Sequence, residues 1–173
     1  MAAKRARILV ITGPGKGKTT AALGMVIRCV SYGKTVLLAR FAKAAHSGEL
    51  DVLATLPGVA IAGGGLGMTP PPGHPHFPDH VAAARTLFET IKAEAPRFDA
   101  IVMDEICGMT SRGMVDEEDV AAFLKALRPD QIAVLTGRGA GLKLIAAADT
   151  VSLIESVKHG YQRGISAQKG VEF

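Results

Sequence analysis

Short continuous apolar runs alternate with stretches of helical period along most of this chain. Residues 8–11, 36–39, 59–62, 100–103, 132–135 and 150–154 are runs of four or five residues rich in Val, Ile, Leu and Ala, the length and character of buried strands. Helical period follows each of the first two. From Lys18, the residues Leu23, Ile27 and Val30 share a face, and Gly33 predicts the stop. Residues 49–56 predict a short helix closed by Pro57-Gly58. Ala84, Leu87, Phe88 and Ile91 predict a helix ending before Pro96; Val120, Phe123, Leu124 and Leu127 predict another over 116–127, and 142–148 a short one.

Apolar strands alternating with helices predict an α/β domain. It should hold a mostly parallel sheet of about six strands, with helices on both faces. No linker, repeat or shift in composition divides the 173 residues, so the expectation is one domain over 1–173. One segment breaks the rhythm. Residues 63–79 hold five Gly and five Pro, which excludes helix and central strand and predicts a long functional loop.

Composition narrows the partners. The net charge of +4 favours an anion, while 5% aromatic residues and no Trp argue against a base-stacking nucleic-acid surface. Cys29 and Cys107 are isolated, so neither a disulfide framework nor a four-thiolate zinc site is expected. No apolar run approaches the length of a membrane span or a signal-peptide core. Together these predict a cytoplasmic protein.

Ligands of parallel sheets bind beyond the carboxyl ends of the strands. Three turns that follow strands carry polar chemistry, and they should converge. The first, Thr12-Gly13-Pro14-Gly15-Lys16-Gly17-Lys18-Thr19-Thr20, lies between an apolar strand and a helix, the setting of a phosphate-binding loop. Its glycines let backbone N–H groups point at phosphate oxygens, Lys18 reaches the terminal phosphates, and the Thr19 hydroxyl suits Mg²⁺. Thr12 stands where the usual GxxxxGK[ST] pattern begins with Gly, and Lys18 in place of a third Gly excludes a dinucleotide fingerprint. The second turn opens with Asp104-Glu105, acids placed to hold Mg²⁺. The third is Thr136-Gly137-Arg138-Gly139, where glycines allow close approach and Arg138 suits a triphosphate.

Other polar groups read more plainly. His74, His76, Asp79 and His80 sit among prolines that splay the chain, so a mobile polar loop is expected over a zinc site. Asp116, Glu117, Glu118 and Asp119 predict the cap of a helix N-terminus. Lys4, Arg5 and Arg7 predict a solvated start. The residues alone define an Mg-nucleotide protein and leave hydrolysis, phosphoryl transfer and transfer of another part of ATP all open.

The loop 12–22, Val102-Met103-Asp104-Glu105, Leu135-Thr136-Gly137-Arg138-Gly139, Ala148-Asp149-Thr150-Val151-Ser152 and the ending from Val157-Lys158-His159-Gly160-Tyr161 to Ala167-Gln168-Lys169-Gly170-Val171-Glu172-Phe173 occur in one order. Together they resemble the P-loop class of corrinoid adenosyltransferases, which act on cob(I)alamin and cobyrinic acid a,c-diamide. The resemblance implies a P-loop NTPase (RecA-like) fold. It also implies transfer of the 5′-deoxyadenosyl group of ATP to the Co(I) of a reduced corrinoid, with release of triphosphate. Lys16 and Lys18 would be catalytic. Gly13, Pro14, Gly15, Gly17, Thr19, Thr20 and Arg138 would join them on ATP, and Thr19, Asp104 and Glu105 would hold Mg²⁺. A homodimer and a flavodoxin-type reductant are further implications. The sequence departs from its relatives at Pro14, often Asn, and at Arg40 before Phe41, where relatives tend to have Gln. It departs again at Leu66 and Met68, in the place of corrinoid-facing aromatic residues. The rival readings are a small-molecule kinase and a nucleotide-dependent corrinoid or metal chaperone.

Overall fold

A computed structural model describes residues 5–42 and 47–171. Lys4, Glu172 and Phe173 lie outside them. Six strands form one sheet: β1 (Arg7–Thr12), β2 (Val36–Arg40), β3 (Val59–Gly63), β4 (Ala100–Asp104), β5 (Ile132–Thr136) and β6 (Thr150–Leu153). Every pairing is parallel, and the order across the sheet is β3-β2-β4-β5-β1-β6. The expected six strands are present within a residue of their predicted ends. The inner strands β2 and β4 are buried at every position, as continuous apolar runs require, while β6 is exposed throughout at the edge.

Helices cover both faces, as expected. On one face, α1 (Lys18–Ser31) and α2 (Gly48–Ala54) enclose Ile11, Val36, Leu38, Ala100, Val102 and Val134. On the other lie α3 (Phe77–Glu94), α4 (Ile106–Ser111), α5 (Glu117–Ala126) and α6 (Leu142–Ala147), packed over Val10, Leu37, Ile101, Met103 and Leu135. Among the described residues no helix is long and apolar enough to cross a membrane.

Three expectations change. α1 buries Lys18, Ala22, Val26 and Cys29 most deeply; of the expected face Leu23 and Val30 pack partly buried beside them, while Ile27 is 56% exposed. The start of the helix is fixed by the glycine loop, which turns a stripe of small residues onto the sheet and leaves the larger ones at its flanks. α4 was not foreseen: it is six residues long, carries Gly108 and Thr110, and shows no full apolar period. Arg5 is solvated as expected, its side chain 75% exposed, but it is also anchored. It pairs with Asp149, whose other oxygen accepts the Ile8 N–H at 2.8 Å and so ties the entry of β1 to that of β6.

Asp99 ties the entries of β2 and β4 together. Its Oδ2 accepts the Thr35 N–H at 2.8 Å and the Thr35 hydroxyl at 3.0 Å. The Thr35 N–H is the main cause holding its carboxyl below the usual carboxylate range. A depressed folded pKa means stability that is present above the unfolded value, about 3.9, and lost as pH falls through the folded one. Asp99→Ala should therefore cost about 1–2 kcal/mol at pH 7. In denaturant titrations that difference should shrink steadily below about pH 4.

Asp116 caps α5 as expected, accepting the Glu118 N–H at 2.7 Å. Glu117 instead reaches α6, where its Oε1 accepts the N–H groups of Lys143 at 3.0 Å and Leu144 at 3.1 Å. Gly141 leaves room for this: a Cβ there would lie 2.2 Å from Glu117 Oε1. Glu117→Ala should lower stability by about 1 kcal/mol, the scale of a lost helix cap, read as a lower urea midpoint at unchanged slope.

Candidate functional site

The three polar turns do meet at the carboxyl ends of β1, β4 and β5. β1 delivers Thr12, the chain curls through residues 13–17, and α1 begins at Lys18. Gly13 and Gly17 take φ of +108° and +115°, which L side chains rarely adopt. Lys18 is 7% exposed, and its Nζ donates to Gly13 O at 2.8 Å and Gly15 O at 2.7 Å. The ammonium therefore holds the loop in its curl and stands at the N-terminus of α1, where the helix dipole also favours an anion. Burial lowers its pKa; Glu105 opposes that most strongly, Arg138 adds to it, and Asp104 opposes it. All four charges thus act on one corner.

Asp104 closes β4 and is 2% exposed. Its Oδ1 accepts the Thr19 hydroxyl at 2.9 Å and the Thr136 hydroxyl at 2.7 Å. Thr136, the last residue of β5, in turn accepts the Glu105 N–H at 2.9 Å. Glu105 has φ +69° and is the only non-glycine residue in the left-handed region among those described. The strain at this junction turns the chain at once from β4 into α4. Sequence reasoning missed Thr136 as the organiser of this corner; its signal was a hydroxyl at the end of an otherwise apolar run.

The glycines flanking Arg138 also have a packing role. A Cβ on Gly137 would lie 2.7 Å from the Gly108 nitrogen, and one on Gly139 would lie 3.1 Å from Ser111 Cβ. They make room for α4 against the turn, and Arg138 itself is exposed between them. Pro14 and Thr20 are likewise exposed, on the loop and the first turn of α1.

A second unforeseen component comes from the segment after β6. Ile154 N–H donates to Thr12 O, and Gly15 N–H donates to Ile154 O, both at 2.8 Å. A Cβ on Gly13 would lie 2.4 Å from Ile154 O, and one on Gly15 2.5 Å from Glu155 O. These two glycines admit the neighbouring backbone, and the Gly15 amide is committed to it. The Lys16 ammonium donates to Val171 O. Between them lies a cavity of about 340 Å³ lined by Lys16 and by Glu155, Ser156, Lys158 and His159.

The 63–79 loop leaves the carboxyl end of β3. Gly64 packs on Leu87, and Arg112 of the α4 C-cap donates to Thr69 O at 3.2 Å. Leu66 and Met68 are 54% and 95% exposed and face a cavity of about 400 Å³ shared with Pro70, His74, His76 and His80. His76 Nδ1 lies 3.4 Å from Asp79 Oδ2, and no three His, Cys, Asp or Glu side chains among the described residues are grouped to hold a metal. The last three residues of the expected loop belong to α3, which opens at Phe77-Pro78, a position where proline is tolerated.

Comparison with known proteins joins these corners to a family. Residues 4–173 match the family described as ATP:corrinoid adenosyltransferase BtuR/CobO/CobP. Corrinoid adenosyltransferase CobA of Salmonella typhimurium is 33% identical over 190 residues, covering 98% of this chain and 87% of its own. The corrinoid adenosyltransferase of Pseudomonas aeruginosa is 34% identical over 174 residues, at 98% and 85% coverage. One from Sinorhizobium sp is 35% identical over 170 residues, at 96% and 79%. With the match running along nearly its whole length, the chain belongs to the ATP:corrinoid adenosyltransferase family.

Proposed function

We propose that this protein transfers the 5′-deoxyadenosyl group of ATP to a reduced corrinoid. The observation that carries the reading is the pairing of an anion-binding loop, tied by Lys18, with family membership along residues 4–173. Membership favours this reaction over the kinase and chaperone readings.

The Co(I) centre of the corrinoid substrate attacks C5′ of ATP. The Co–C5′ bond forms, the C5′–O5′ bond breaks, and triphosphate departs with that electron pair. The nucleophile has no proton to lose, so the protein supplies no general base. Its work is to hold C5′ toward the corrinoid and to stabilise a highly charged leaving group. Gly13, Pro14, Gly15, Gly17, Thr19 and Thr20 form the cradle around the triphosphate, and the α1 N-terminus directs its dipole there. Lys18 and Lys16 contribute charge within it, and Arg138 reaches in from the β5 turn.

Magnesium fits the same corner. The Thr19 hydroxyl and the buried Asp104 carboxylate already meet at 2.9 Å, and oxygen donors are what this hard cation takes. Thr19 and Asp104 would hold it with Glu105 alongside, and the ion, when bound, supplies further positive charge to the triphosphate.

The 63–79 loop supports the corrinoid side of the reading. Leu66 and Met68 present apolar surface beside an open cavity at the same end of the sheet. We extend the reading to one domain, a homodimer, and delivery of the electron by a flavodoxin-type protein in the cytoplasm. Both cysteines are free and buried, which suits a reducing compartment.

The test is an anaerobic incubation with ATP, Mg²⁺ and chemically reduced corrinoid, followed by visible spectroscopy. A light-sensitive Co–C product should accumulate with ATP consumption. ATP turnover that gives no light-sensitive product would refute the assignment.

A further inference from the structure

The carboxyl end of β2 holds a charge that the reaction above leaves unused. Arg40 is 4% exposed. Its Nη2 is buried without a hydrogen-bond partner, and its guanidinium makes no hydrogen bond or ion pair within the described residues. Removing a guanidinium from water without a bonded counter-charge is unfavourable, and folded proteins keep few such groups.

Its position indicates what would relieve that cost. In the parallel register Arg40 stands directly across from Asp104 on one side and Gly63 on the other. Side chains alternate along a strand, and Val36 and Leu38 lie in the core beneath α1 and α2, so Arg40 shares their face. Asp104 uses the same face to reach Thr19 at the start of α1. The arginine thus stands one strand beyond the magnesium corner, between it and the 63–79 loop. No ion pair joins it to Asp104 among the described residues, and the Asp104 Oδ1 accepts from the Thr19 and Thr136 hydroxyls.

We propose that Arg40 is a further anion-holding residue of this site, donating to a phosphate oxygen of the bound nucleotide's triphosphate. The inference rests on reading the glycine loop as a triphosphate site and adds a residue to it. A planar guanidinium matches phosphate geometry and keeps its charge at every working pH. It would also draw the triphosphate toward the β2 side of the cradle, a pull that neither Lys18 nor Arg138 exerts from its own strand end.

The test uses the full chain with Arg40→Gln and Arg40→Lys, titrated with inorganic triphosphate in magnesium buffer by calorimetry and melted without ligand. Arg40→Gln should weaken triphosphate binding about ten- to a hundredfold, the scale of a lost charge-assisted hydrogen bond. Its unliganded melting temperature should stay level or rise, because an unpartnered buried charge has gone. Arg40→Lys keeps the charge without the planar geometry and should weaken binding severalfold at an unchanged melting temperature. Unaltered triphosphate affinity in either variant overturns the proposal, whatever the melt shows. Corrinoid takes no part in this measurement. A failure to adenosylate corrinoid would therefore refute the proposed reaction while leaving Arg40 as an anion ligand.

Discussion

Lys18→Ala is expected to lower the rate of adenosyl transfer by about a thousandfold or more at fixed ATP. Removal of one donor aimed at developing charge typically costs about a hundred- to a thousandfold. Lys18 does more than that one donor, because its ammonium also bonds Gly13 O and Gly15 O and so shapes the loop that presents the backbone amides. Without it, bound triphosphate meets a looser cradle and one positive charge fewer. The folded state should survive, since burying the ammonium is itself costly and lowers its pKa. The check is a steady-state comparison over a wide ATP range, with circular dichroism confirming the fold. Loss confined to a few fold would show that Lys18 only braces the loop.

Gly13→Ala is expected to carry the largest stability cost of any single methyl group in the site. The new Cβ would lie 2.4 Å from Ile154 O and 2.9 Å from Ile154 N. Both are backbone atoms, and β6 cannot retreat without breaking its register with β1, in which Thr12 faces Leu153. The backbone at φ +108° adds strain. Overpacking and strain together set the loss at about 3 kcal/mol or more. For a domain of this size that is a fall of roughly 6–12 °C in Tm. Gly17→Ala is the internal comparison. Its φ is +115°, yet a Cβ there meets nothing within 4 Å, so strain alone acts and the loss should be about 1–2 kcal/mol. Equal losses in the two variants would show that contact with Ile154 is unimportant.

These two residues also mark how far the sequence could be read. The strand before the loop, the helix after it and the Lys-Thr pair were legible, because each obeys a local rule of period or turn chemistry. So were Asp104 and the turn around Arg138, as polar breaks at the ends of apolar runs. What local rules do not encode is the reason for a residue when that reason lies far along the chain. Gly13 and Gly15 read as glycines of a phosphate loop, and their missing Cβ atoms also admit Ile154 and Glu155. Gly137 reads as ligand-facing, and its missing Cβ also admits α4. Glu117 reads as part of its own helix cap and serves α6. The face of α1 was misjudged for the related reason that hydrophobic size was weighed without the anchor at the start of the helix. Ala22 and Val26 are fully buried because the loop sets the helix close to the sheet.

In the proposed reaction ATP is cleaved between C5′ and its triphosphate. Phosphorus-31 NMR of the anaerobic reaction with ATP, magnesium and reduced corrinoid tests it most directly. The resonances of intact inorganic triphosphate should appear, in amounts equal to the adenosylated corrinoid formed. Accumulation of ADP, with a phosphorylated acceptor or inorganic phosphate in place of triphosphate, would contradict it.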